Sequence, residues 1–277
     1  MKKNKTVSSV LFLGLSMMLA VAVFSSWLRC QEGYRDEKGR WCLRYTQRES
    51  LWKKVDYNAF LKLNGTMKNN AVMQTIWGIT NHRAFDLAAA AWMVLLFGCY
   101  YVRNPRGEDR VAIMQFGLYM TASLLLVAII SEASIQFHRL SPGEIGELKN
   151  KAIILSDLTD RITWKVKVGS SNSFPGDHAM VLMFIGSFII YRLRSWYGAA
   201  AGFGIVAFIL PRLAGGGHWL SDVLVGGLFF YLILFPLLMF APLREWALVR
   251  LRNPAVWLSK KLSFIVPDGW GVQITRF

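Results

Sequence analysis

Arg212-Leu213-Ala214-Gly215-Gly216-Gly217-His218-Trp219-Leu220-Ser221-Asp222 runs straight into Val223-Leu224-Val225-Gly226-Gly227-Leu228-Phe229-Phe230-Tyr231-Leu232-Ile233-Leu234-Phe235-Pro236-Leu237-Leu238-Met239-Phe240-Ala241. A polar, glycine-rich mouth opens onto an apolar stretch. Residues 222–241 supply the roughly 20 positions that carry a helix across a hydrocarbon core of about 30 Å. Lipid offers no partners to the backbone, so such a stretch crosses as helix. Working outward, comparable runs occupy 8–28, 84–102, 111–131, 178–193 and 197–211. Hydrophobic residues make up 54% of the 277 positions, more than a soluble domain of this length usually carries. The expected fold is therefore all-α and integral to the membrane, a bundle of six transmembrane helices.

The runs at 178–193 and 197–211 are short, so their ends are expected to reach only the interface. The first run follows Lys2, Lys3 and Lys5, and Ala20-Val21-Ala22 resembles the processing site of a cleaved signal peptide. It continues apolar to Trp27-Leu28, which suits a retained anchor better. Basic residues in short connections mark the cytoplasmic side. Here they are the three N-terminal lysines, Arg103, Arg106 and Arg110 between the second and third runs, and Arg192 with Arg194 between the fourth and fifth. Both termini are then cytoplasmic. The segment 29–83 is also basic, but long loops constrain orientation weakly. Four regions result: an N-terminal region with the first helix (1–28), an outer loop with an interfacial helix (29–83), a five-helix membrane core (84–241) and a basic tail (242–277).

In the outer loop, Cys30 and Cys42 flank Gly33 and Gly39, a spacing that permits a disulfide-closed loop and equally permits two unpaired thiols. Cys99 lies within the second run and reads as packing. Leu51, Trp52, Val55, Ala59, Phe60 and Leu63 recur at helical spacing, with Lys53, Lys54, Asp56 and Lys62 elsewhere on the wheel, as in a helix lying in the headgroup layer. The tail interleaves Arg244, Arg250, Arg252, Lys260 and Lys261 with Trp246, Trp257 and Trp270, the pattern of a surface-lying amphipathic segment. The net charge of +15 is spread over the loops of a multi-span chain, which favours anionic lipid over nucleic acid as partner.

The four histidines, His82, His138, His178 and His218, fall outside the runs or at their outer edges, all on one side. A lone histidine there is ordinarily a satisfied interfacial residue. His218 and Asp222, however, stand four apart and share a helix face. An aspartate so placed accepts one imidazole proton and leaves the other nitrogen free to attack. The glycines before it allow close backbone approach to a ligand, and Arg212 offers a planar fork to phosphate oxygens. A helix N-terminus with Asp222 as dipole partner would explain the aspartate but not the arginine. Ser173-Phe174-Pro175-Gly176-Asp177-His178 forms a second cluster, a turn opening a helix, where His178 suits a general acid and helix N–H groups point at an anion. Arg139, in Arg139-Leu140-Ser141-Pro142, adds a cation on the same face.

These clusters resemble the three-part signature of the type 2 phosphatidic acid phosphatase family. Arg139 stands for the first part, Pro175 to His178 for the second, and Arg212, His218 and Asp222 for the third; the likeness extends over roughly residues 50 to 241. The resemblance implies a six-span bundle with its active site on the outer face. It also implies His218 as nucleophile, Asp222 as its orienting partner and His178 as the acid on the leaving group. Arg139 and Arg212 would clamp the phosphate, with Gly176 and Asp177 lining it. The family is metal-independent, so neither metal nor cofactor is expected. Two positions depart from the pattern: Glu132 stands where the family has a lysine seven residues before the motif arginine, and Pro-Gly-Asp-His replaces Pro-Ser-Gly-His.

The departures, with Asn81-His82-Arg83-Ala84-Phe85-Asp86, resemble the branch that moves phosphate from undecaprenyl diphosphate to the 1-phosphate of lipid A. That likeness implies a bacterial inner-membrane protein facing the periplasm. Arg83 and His82 would help hold the acceptor's anionic headgroup, although Arg83 fits a plain interfacial anchor equally well. Hydrolysis of undecaprenyl diphosphate or related lipid phosphates would use the same catalytic residues, because only the acceptor distinguishes phosphatase from transferase. A non-enzymatic transporter fits poorly, since transporters place polar groups near the midplane. A carboxylate beside His178 favours its charged form. Asp177→Asn is accordingly expected to move the alkaline limb of the pH–rate profile to lower pH, measured by initial rates across pH.

Overall fold

The computed structural model describes residues 2–103, 107–133, 138–193 and 196–263. Arg106, Arg194 and Trp270 lie outside the described residues, as do the side chains of Lys2, Lys3, Lys5 and Glu132. Helix α1 (Lys2–Leu28) leads into a hairpin of β1 (Gln31–Arg35) and β2 (Trp41–Tyr45), followed by α2 (Leu51–Asn64) and α3 (Ala71–Thr80). The bundle continues with α4 (Phe85–Arg103), α5 (Gly107–Ala133), the two-residue strand β3 (His138–Arg139) and the short α6 (Gly146–Lys149). It closes with α7 (Asp177–Leu193), α8 (Trp196–Ala214), a π-helical stretch at Asp222–Gly227, α9 (Leu228–Met239) and α10 (Ala241–Ser263).

Five helices among the described residues are long and apolar enough to cross a membrane: Val10–Leu28, Phe85–Arg103, Glu108–Ser131, Trp196–Ala214 and Asp222–Met239. The remaining expected span is α7, with 17 residues. At 1.5 Å rise per residue it reaches about 25 Å, short of a core of about 30 Å. Its place explains how it forgoes the extra turn. α7 packs on α4, α5, α8 and α9, so it meets protein on most sides rather than lipid. Met180, Phe184 and Phe188 face one core with Phe116, Phe230 and Leu234, whereas Leu182, Ile189 and Leu193 face another with Met93 and Ala201. A helix apolar all round belongs in such an interior.

α1 lies along α9, and Ala20 and Trp27 are completely buried, so the first run is built into the bundle. α10 packs against α5; the Gln115 amide donates to the Leu248 carbonyl, and Tyr101 and Ser259 pair through their hydroxyls at 3.0 Å. The region expected as a surface tail is thus a docked helix up to Ser263.

The hairpin turns through Asp36, whose carboxylate accepts from the Lys38 and Arg40 amides, with Gly39 at φ +73°. β2 pairs antiparallel with β1 and parallel with β3, placing Leu43 opposite Arg139. This register decides the cysteine question: Cys42 faces Tyr34, whereas the Cys30 carbonyl accepts from Thr46, four positions further along the chain and just past β2. Four residues of strand span about 13 Å, beyond the reach of a disulfide. Cys30, Cys42 and Cys99 are all free thiols. Mass spectrometry after maleimide treatment in denaturant without reductant should therefore show three labelled cysteines per chain.

Candidate active site

The site grows from one buried cation. Strand pairing on β2 fixes Arg139, which is 2% exposed. One guanidinium nitrogen donates to Asp222 and to the Ser221 hydroxyl at 2.9 Å, and the other meets Asp56 at 3.0 Å. The rings of Trp27, Tyr45 and Trp219 lie 5.3, 4.9 and 5.4 Å from its central carbon. Burial opposes the charge, but Asp222 and Asp56 together hold Arg139 above its ordinary pKa. Asp56 accepts additionally from the Ser221 amide at 2.7 Å, the Ser221 hydroxyl at 2.5 Å and the Tyr45 hydroxyl at 2.5 Å. Burial pushes the Tyr45 phenol up as well, which keeps it a donor.

α2 delivers Asp56. Its inward face runs Asp56, Phe60, Asn64 at successive helical turns, while Leu51 is 77% exposed. Asn64 donates to the carbonyls of Ile153 and Ala214 and accepts from the Ile153 amide, which fastens the end of α2 to α8. This helix, expected to lie only in the headgroup layer, thus contributes its two most polar inward residues to the bundle.

Above this group sits His218, 5% exposed. Its Nδ1–H donates to the Ser173 carbonyl at 2.8 Å. Asp222, expected as the direct orienting partner, lies 3.7 Å from Nδ1 and accepts instead from the Trp219 amide at 2.8 Å. The carbonyl fixes the tautomer, and the aspartate stands by as a fixed negative charge. Nε2 is buried and lacks a hydrogen-bond partner. With Nδ1 held by the carbonyl, Nε2 is the ring nitrogen left open. The glycines around it serve packing: Gly216, at φ +82°, accepts at its carbonyl from the Gly143 amide at 3.0 Å. Gly226 lies where a Cβ would come within 2.9 Å of Pro175, so the turn holding His178 can close against the mouth holding His218.

Across from His218, with ring centroids 6.3 Å apart, His178 has both nitrogens on carboxylates: Nδ1 is 2.7 Å from Asp177 and Nε2 is 3.1 Å from Asp86. The other oxygen of Asp86 takes Arg212 at 2.6 Å. Arg212 is buried and also donates to the Asn81 carbonyl at 3.3 Å. The two arginines expected to clamp together therefore engage different carboxylates, Arg139 within the core and Arg212 at the mouth. The amides at the start of α7 are used internally: Gly176 donates to the Asp222 carbonyl, Asp177 to the Pro175 carbonyl and His178 to the Asp177 side chain. Asp177, His178 and His218 bring potential metal-ligand atoms within 4.8 Å of one another. His178, flanked by two carboxylates, is placed as an imidazolium rather than as a ligand.

Two cavities meet at Asp86 and His178. One, of about 280 Å³, is apolar and runs between α4, α7 and α8 past Ala89, Val181, Ile185 and Phe208. The other, of about 740 Å³, opens outward beneath Arg83, Lys165 and Lys167, with Glu144 and Trp164 in its wall. His82 remains in its own turn, where Nδ1 accepts from the Ala84 amide, and pairs by a single bridge with Val166. Asp56, Asp86, Lys165 and Lys167 were not picked out from the sequence. Asp86 lay within a quoted motif, one residue into a helix, and that position was its only signal.

Residues 155–246 match the PAP2 superfamily, the type 2 phosphatidic acid phosphatases. The lipid A 1-diphosphate synthase of Escherichia coli (strain K12) is 27% identical over 199 residues, covering 70% of this chain and 79% of that protein. No solved structure gives a significant match. The resemblance read from the sequence, to this family and to its lipid A branch, is thereby supported. The chain is mostly helical, carries five helices long and apolar enough to cross a membrane, and over residues 155–246 is similar to the superfamily.

Removing Arg139 would leave two carboxylates facing each other in the core. Arg139→Met should destabilise the protein by about 3–5 kcal/mol. Adding Asp56→Ala should cost less than the sum of the single changes, because the two residues share one network. Unfolding in detergent followed by intrinsic tryptophan fluorescence checks both.

Proposed function

We propose that the protein moves the terminal phosphate of undecaprenyl diphosphate to the 1-phosphate of lipid A through a phosphohistidine at His218. The observation that carries the chemistry is the buried, unpartnered Nε2 of His218, 6.3 Å between ring centroids from His178. The likeness to a lipid A 1-diphosphate synthase supports the choice of substrates.

In the first step Nε2 attacks the terminal phosphorus, and the bridging P–O bond breaks. His178 gives its Nε2 proton to the departing oxygen, and Arg212 neutralises charge on the oxygens in flight. The phosphorylated ring, still protonated at Nδ1, is a cation. The Ser173 carbonyl and the nearby Asp222 charge stabilise it, and Arg139 with Asp56 holds Asp222 in place. Arg139 thereby acts as a positioning residue beneath the clamp, and Gly176 closes the same turn by its bond to the Asp222 carbonyl. In the second step an oxygen of the acceptor phosphate attacks phosphorus, the N–P bond breaks and the acceptor's proton returns to His178. Asp177 keeps His178 ready for both transfers.

The two cavities suit two lipids. The apolar one fits a hydrocarbon chain within the membrane, and the outer one, with Arg83, Lys165 and Lys167, fits an anionic headgroup. His82 supports the turn that presents Arg83. The arrangement belongs to a six-span protein of the bacterial inner membrane, with α7 as the enclosed sixth span and the site on the periplasmic face. The regions are the N-terminal helix (1–28), outer loop (29–83), core (84–241) and cytoplasmic tail (242–277). Hydrolysis, with water as acceptor, is the alternative that uses the same residues.

Reconstituted protein should move label from phosphate-labelled undecaprenyl diphosphate to lipid A, with His218→Ala lowering the rate by about 10³-fold or more. Release of inorganic phosphate whether or not lipid A is present would replace this reading with the hydrolase.

A further inference from the structure

Asp86 lies at the first turn of α4, outside the segment that matches the family, and its two oxygens take two different partners. One is 2.6 Å from Arg212, and the other is 3.1 Å from Nε2 of His178. These are the two side chains read above as facing the phosphate, so the inference rests on that reading. Carboxylate and phosphate oxygens bind a guanidinium in the same fork geometry. We propose that Asp86 is a specificity-determining residue, an internal anion that occupies a phosphate-oxygen position between Arg212 and His178 and yields it only to the phosphate of a lipid.

Exposure and position both favour displacement of the aspartate rather than of its partners. The Asp86 side chain is 40% exposed, whereas that of Arg212 is 4% exposed and tied to the Asn81 carbonyl. An incoming anion therefore finds Arg212 in place and has to move the carboxylate aside. Asp86 also stands where the apolar and the basic cavities join. A lipid phosphate can place its chain or its headgroup in one of these cavities and spend that binding on displacing Asp86. Free inorganic phosphate has only its contacts with Arg212 and His178. Asp86 thus sets a threshold that admits lipid phosphates and turns away the small anion.

The test is calorimetric titration of the full-length, detergent-purified protein with inorganic phosphate, which requires no turnover. Asp86→Asn and Asp86→Ala should each bind phosphate about tenfold more tightly than the parent, the scale of losing one like-charge contact. Asp86→Glu, which keeps the charge, should remain within about twofold. Adding Arg212→Ala to Asp86→Asn should abolish the gain and so locate it. Binding by both neutral variants that is unchanged or weaker overturns the proposal, as does a gain that survives loss of Arg212, or an absence of phosphate binding in every variant. The Ala variant keeps the test decisive should the Asn variant not purify folded. A tenfold gain alongside failed label transfer to lipid A would leave this inference standing and remove the substrate assignment alone.

Discussion

The end of the bundle that carries the candidate site is arranged around one arginine held between two carboxylates. Arg139 bonds Asp222 at the mouth of the last span and Asp56 on the outer helix, inside a wall of Trp27, Tyr45 and Trp219. Those residues come from α1, the hairpin, α2, β3 and the mouth itself, segments scattered from one end of the chain to the other. A buried charge left unpaired costs several kcal/mol, so each segment can settle only where the others already are. Hydrogen bonds from the Tyr45 hydroxyl, the Ser221 amide and the Trp219 amide complete the partners of the two carboxylates.

That group explains the indirect relation between Asp222 and His218. An aspartate occupied by an arginine and a backbone amide has little freedom to follow an imidazole, and the ring takes the Ser173 carbonyl instead. The arrangement resembles a catalytic triad in purpose while dividing its tasks. A neutral carbonyl sets the tautomer, and a rigid charge stands close enough to favour a cationic ring.

The second charged group, Asp86 with Arg212 and His178, lies nearer the solvent and is far less enclosed. The contrast between the two groups is physical: 0% exposure for the carboxylates that hold Arg139, and 40% for the one that meets Arg212. An inner ion cluster serves as scaffold because it cannot be rearranged cheaply. The outer one, with its carboxylate 40% exposed, is the more weakly held of the two. His218 lies between them, its Nδ1 held by the Ser173 carbonyl and its ring 6.3 Å between centroids from that of His178.

Periodicity and local spacing were enough to reveal a helical membrane chain, because an apolar run near 20 residues has few other outcomes. They also singled out Arg212, His218 and Asp222, close together along one helix mouth, and His178 in a separate turn that only the packed bundle brings opposite His218. Neither Asp56 nor Asp86 could be recognised that way. On the helical wheel Asp56 belonged with the lysines of a surface face, and only packing of α2 onto α8 turned it inward. The free thiols at Cys30 and Cys42 likewise depended on strand register, which spacing alone leaves undetermined. α7 was shorter than a span by its own length and became central because neighbours enclose it on most sides. Local periodicity was enough to say which residues stand at the ends of the apolar runs. The tertiary structure decided which charges face one another, because partners distant in sequence meet only when the bundle has closed.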